Sequence, residues 1–179
     1  MLNLNQLLES AVAKGFFEVN DCIIFYDLAA LELRLRFLKS CFPKHTVHAV
    51  AVKANPLIKV LRSLESMGFA AEVASIGELK CAEHAGFKLG DVVFDSPTKT
   101  RQECKLALQN GYRLNIDNFE ELKRIDALME GLNTKSIIGL RINPQVGEGD
   151  ILATSVAGLY SKFGLPLLFQ KDEIIASFL

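Results

Sequence analysis

The apolar positions of this chain change period twice along its length. Over residues 2–14 they recur every three to four positions, which predicts an amphipathic helix that Gly15 stops. A short apolar run, Cys22-Ile-Ile-Phe-Tyr, then predicts a strand. Asp27 follows as the cap of a helix over 28–40, whose Leu28, Leu31, Leu35 and Leu38 share one face, and Pro43 ends the connection. From there a unit repeats: a β-branched apolar run, a turn, an amphipathic stretch and a glycine. The strands are predicted at 47–52, 70–74, 92–94, 113–116 and 137–143. The helices between them fall at 57–66, 77–85, 99–109 and 119–130, with glycines at 68, 86, 111 and 131 and Pro144 closing the last strand.

Strands alternating with single helices at a spacing of about 20 to 25 residues need crossover connections, and so a parallel sheet covered by helices. No Gly-x-Gly-x-x-Gly or Gly-x-x-x-x-Gly-Lys-Ser/Thr follows any strand, which weakens the nucleotide-binding open sheet and favours a barrel. A closed barrel has eight strands and about 250 residues. The expected fold is therefore α/β, a partial (β/α)8 TIM-type barrel of about five parallel βα units, preceded by an N-terminal helix and strand. Residues 1–44 form the lead-in and 45–179 the first part of the barrel. The segment 145–160 reads as a long glycine-bearing loop at the face where barrels carry their sites. Residues 167–179 read as a helix starting near Lys171, with no strand after it.

Composition narrows the function classes. With 20 basic against 21 acidic residues and no basic cluster, neither nucleic acid nor an anionic membrane is expected as a partner. Four isolated cysteines predict reduced, largely buried thiols of a cytoplasmic protein, with no metal site and no disulfide framework. A mean hydropathy of +0.22 is high for a domain of this size, and predicts self-association, as a homodimer or otherwise.

Three residues stand out for chemistry. Lys53 ends the strand Val47–Val52, and an amine at a strand mouth, partly desolvated by apolar neighbours, is a Schiff-base former; a lysine that snorkels to water is the plainer reading. Glu72 lies among small apolar residues in the next strand, and Arg141 in the fifth, where a buried charge needs a partner; an Arg141–Glu72 salt bridge is one way to satisfy both. Ser75 and Glu78 have the spacing of a capping box behind Glu72. The turn Asp95-Ser-Pro-Thr-Lys-Thr is read either as lining the same mouth or as a helix cap.

Set together, Phe25-Tyr-Asp, Ala51-Val-Lys-Ala-Asn-Pro, Glu72-Val-Ala-Ser-Ile-Gly-Glu, Leu140-Arg-Ile-Asn-Pro and Ser161-Lys-Phe-Gly resemble, in order and spacing, the N-terminal half of a known barrel. It is the fold-type III, alanine-racemase-like barrel of pyridoxal-phosphate-dependent decarboxylases, the diaminopimelate and ornithine decarboxylase family. The resemblance implies pyridoxal 5'-phosphate as cofactor and Lys53 as its Schiff-base lysine. Glu72 and Arg141 would stand beside the cofactor, with Ser75 and Glu78 supporting that wall. It implies decarboxylation of a basic or dibasic amino acid of the diaminopimelate, ornithine, lysine or arginine type. A pyridoxal-phosphate racemase or carrier protein, or a non-catalytic homologue that binds a partner, are the alternatives. The family's later histidine motif, phosphate loop and C-terminal β-domain have no counterpart in these 179 residues, so the chain alone is expected to be an inactive fragment.

Overall fold

The computed structural model describes residues 3–146, 156–158 and 161–178. The chain divides into two compact units, 1–46 and 47–179. The first holds α1 (Leu4–Ala13), capped by the Asn3 side chain, and α2 (Leu28–Ser40), capped by Asp27 Oδ1 accepting from the amide of Ala30 at 2.9 Å. The predicted strand at Cys22–Tyr26 is absent: these residues form no ladder, because an apolar run becomes a strand only where a neighbouring strand takes its backbone hydrogen bonds.

The second unit is built on five parallel strands in sequential order: β1 (Ala49–Ala51), β2 (Ala70–Val73), β3 (Val92–Asp95), β4 (Arg113–Ile116) and β5 (Ile138–Leu140). The register sets Ala51 opposite Glu72, Asp95 opposite Asn115 and Asn115 opposite Gly139. Four helices make the crossovers: α3 (Ile58–Ser66), α4 (Ile76–Ala85), α5 (Arg101–Asn110) and α6 (Phe119–Met129). The period of two along each strand separates the faces. Ala71, Val73, Val92, Phe94, Leu114 and Ile116 are buried, as are Leu61, Leu79, Ala82, Leu108 and Ile125 of the helices. The alternate positions Glu72, Val93, Asp95 and Asn115 are only half-buried and line the other face. Each leucine of that core contributes about 1.5–3 kcal/mol by leaving water, so the helix-covered face carries the stability and the other is left mostly to polar residues.

The end of the chain corrects the sequence reading. The fifth strand is interrupted at Arg141 and resumes as β6 (Ile142–Asn143), which pairs in parallel with β7 (Leu165–Pro166). Arg141 makes the switch: its amide donates to Ile116 O at 2.7 Å, towards β4, while its carbonyl accepts from Leu165 N at 2.8 Å. A sixth parallel strand position is thus present where none was expected. The last helix, α7, begins at Leu167 rather than near Lys171, with non-helical angles at Gln170. Most of the predicted 145–160 loop, residues 147–155 and 159–160, lies outside the described residues. Among the described residues no helix is long and apolar enough to cross a membrane. The fold of this unit is a partial β/α barrel.

Candidate active site at the strand ends

In parallel β/α folds the carboxyl ends of the strands, and the loops that follow them, collect the functional side chains. Lys53 is there, in a single 3-10 turn (Val52–Ala54) that continues β1. Its neighbour Val52 is fully buried, yet Lys53 itself is exposed. The burial expected of a lysine within an apolar strand is therefore not found: the chain has already left the strand at this residue, and Lys53 is exposed at the mouth.

Glu72, one strand over and half-buried, shares an electrostatic neighbourhood with Lys53, Asp95, Glu78 and Arg141. Burial pushes its carboxyl above the ordinary carboxylate range; Lys53 opposes that shift, Asp95 and Glu78 add to it, and Arg141 opposes it. Three of the residues picked from sequence are thus brought together, but not by the ion pair anticipated. Arg141 Nη1 meets Asp95 Oδ1 at 3.4 Å and Asp117 Oδ1 at 3.5 Å instead of Glu72. Its guanidinium carbon also lies 4.5 Å from the centroid of the Phe163 ring, in the Ser161-Lys-Phe-Gly segment.

Ser75 and Glu78 make a modified capping box. Ser75 Oγ accepts from Glu78 N at 3.2 Å, while Glu78 Oε2 accepts from the amide of Ala74, one residue before the cap, at 2.9 Å. The same device opens α6, where Asn118 Oδ1 accepts from Glu121 N and Glu121 Oε2 accepts from Asp117 N, both at 2.9 Å. These caps stiffen the strand-to-helix junctions behind Glu72 and Arg141.

The turn after β3 has both roles that were considered. Asp95 points to Arg141, while Thr100 and Glu103 form a full capping box on α5. Inside it, Lys99 is buried, its Nζ 2.9 Å from Glu121 Oε1 and donating also to the carbonyls of Ser96 and Asn115. The sequence pattern does not single out Lys99, Asp117 or Glu121 for the site. An acidic or basic residue at a strand-to-helix junction reads as a cap or as solvated until its distant partner is known.

The pyridoxal-binding domain family of pyridoxal-dependent decarboxylases matches residues 28–177 of this chain. The chain belongs to that family, whose members depend on pyridoxal phosphate. It is 33% identical over 165 residues to the L-glutamyl-[BtrI acyl-carrier protein] decarboxylase of Niallia circulans, covering 92% of this chain and 38% of that protein. It is 33% identical over 138 residues to the diaminopimelate decarboxylase of Archaeoglobus fulgidus, covering 77% of this chain and 33% of that one. Its structure resembles that of Helicobacter pylori diaminopimelate decarboxylase complexed with L-lysine, with a TM-score of 0.78 and 26% identity over 92% of this chain and 42% of the other. The chain spans less than half the length of these relatives.

Proposed function

We propose that this unit is the cofactor-anchoring wall of a decarboxylase acting on a basic or dibasic amino acid, with Lys53 as the residue that holds pyridoxal phosphate as a Schiff base. The observation that carries the reading is the placement of Lys53: an accessible amine at the carboxyl end of β1, in the field of a carboxyl whose proton affinity burial has raised. That donor set fits the group. An exposed primary amine is free to condense with an aldehyde, and Glu72, opposite Ala51 in the register and within the field of Lys53, would hold or give up a proton beside it. Arg141, its charge met by Asp95 and Asp117, opposes the shift on Glu72 and so tunes when that proton is held. Ser75 and Glu78 fix the turn that follows Glu72. When bound, the cofactor supplies an electron-withdrawing ring that accepts the electron pair left when a carboxylate departs as carbon dioxide.

The diaminopimelate decarboxylases among the relatives, one of them solved with L-lysine, support a substrate with a second basic group, such as diaminopimelate, ornithine, lysine or arginine. The relative from Niallia circulans, named for a glutamyl group on a carrier protein, supports a second reading in which the amino acid arrives tethered.

The test of the anchoring role is a spectroscopic titration of the chain with pyridoxal phosphate. The parent and Lys88→Ala, which removes an exposed lysine elsewhere, are expected to develop an imine absorbance band; Lys53→Ala is expected not to. A band of unchanged amplitude in Lys53→Ala removes Lys53 from this role.

A further inference from the structure

Arg141 is restrained from three directions, and one of the restraints is more than charge balance. Asp95, half-buried at the end of β3, already supplies one carboxylate to Arg141 Nη1. The second carboxylate, Asp117, is 3% exposed just past β4, and its backbone amide is taken by Glu121 Oε2. Its Oδ1 has two partners: Arg141 Nη1 at 3.5 Å and the amide of Gly164, which donates to it at 3.1 Å. Burying a carboxylate costs energy that a single backbone hydrogen bond does not recover. A neutral asparagine would serve that bond as well. The bond to Gly164 is thus the part of the arrangement that an amide keeps, and it is the part that ties the 161–164 turn to the barrel.

Gly164 shows what the link secures. Its φ is +73°, and a Cβ there would lie 2.9 Å from Arg141 O and 3.0 Å from Asn143 N, so the turn is pressed against the backbone of Arg141 and admits only glycine. The preceding residue, Phe163, carries the ring that faces the guanidinium. One oxygen atom thus holds both the cation and the turn that brings the aromatic face to it.

We infer that Asp117 is the positioning residue for Arg141, fixing the guanidinium by tethering the Ser161–Gly164 turn so that Phe163 covers its face. Asp117 acts through Arg141 and does not itself touch cofactor or substrate. The part of this that concerns cofactor binding rests on the proposed function; the tether does not.

The experiment uses the 179-residue chain with 13C,15N-labelled arginine, the Arg141 signals being assigned with Arg141→Lys. The Phe163 ring is expected to shift the Arg141 guanidinium signals upfield in the parent, and Phe163→Leu to remove that displacement. Asp117→Ala is expected to lose at least about half of it, and Asp117→Asn, which keeps the acceptor for Gly164 N–H, to retain most of it. Pyridoxal phosphate should bind roughly tenfold more weakly to Asp117→Ala, about the effect of one lost buried hydrogen bond, and nearly as in the parent to Asp117→Asn. An Asp117→Ala chain that keeps the full Arg141 displacement overturns the inference. The NMR readout needs no cofactor, so it judges the tether even where Lys53→Ala has removed Lys53 from its role. Should Asp117→Ala not fold, Asp117→Ser, which keeps a hydroxyl in the buried site but is one bond too short to reach Gly164 N–H, takes its place in the same NMR readout: loss of at least about half of the displacement supports the inference and full retention overturns it.

Discussion

Lys99 Nζ and Glu121 Oε1 meet at 2.9 Å with both side chains sealed from solvent, joining the start of α5 to the first turn of α6. The pair is not isolated. Glu121 also accepts from Asp117 N, and Lys99 donates to two carbonyls, so each charge has its remaining bonding capacity filled. Removing one partner leaves the other charged and buried. Lys99→Met is expected to lower stability by about 3–5 kcal/mol, as is Glu121→Leu, and the double variant should lose clearly less than the sum. Urea unfolding of the four chains measures this, and a strictly additive double variant would refute the coupling.

Glu72 gives a prediction of opposite sign. Burial raises its folded-state pKa above the ordinary 4.5, so the folded chain holds that proton more firmly than the unfolded one. The resulting stability is fully present below pH 4.5 and is lost as the pH rises through the folded value. At pH 7 the carboxylate is a net burden, and Glu72→Gln should melt at a higher temperature than the parent. The difference should shrink towards zero in melts run at progressively lower pH, down to below 4.5. A Glu72→Gln chain less stable than the parent at pH 7 would show that Glu72 is needed for the fold rather than kept for its chemistry.

The cysteines differ sharply in environment, and the expectation of largely buried thiols is corrected here. Cys22 and Cys41 are exposed, because they lie in the connections either side of α2 and not on a core face; Cys81 is intermediate and only Cys104 is buried. Burial pushes the Cys104 thiol up to about 11, with Glu121 adding to the shift. Iodoacetamide labelling followed by peptide mass spectrometry at pH 7.5 should modify Cys22 and Cys41 first. Cys104 should react at least about a hundredfold more slowly, since only the thiolate is nucleophilic.

What the sequence disclosed follows the range of each interaction. Strand alternation and helix spacing are local, so β1 to β5 and the crossover helices were legible, as were the caps at Asp27 and Ser75. The strand at Leu165–Pro166 was not, since two residues ending in proline carry no periodic signal and are defined only by pairing with Ile142–Asn143. The apolar run at Cys22–Tyr26 erred the other way, as hydrophobicity alone does not supply a ladder partner. Within the site, Lys53, Glu72 and Arg141 were legible as charges among apolar residues. The partners of Arg141 were not: Asp95, Asp117 and Phe163 reach it from 46, 24 and 22 positions away in the chain, distances no local pattern spans.

The anchoring of pyridoxal phosphate by Lys53 leaves a chemical trace. It is tested most directly by borohydride reduction of the chain mixed with the cofactor at a low molar ratio, followed by mapping of the phosphopyridoxyl group onto tryptic peptides. The label is expected to lie predominantly on Lys53, ahead of the other exposed lysines such as Lys59, Lys80 and Lys88. A label spread evenly over the exposed lysines, or concentrated on any of them but Lys53, would contradict it.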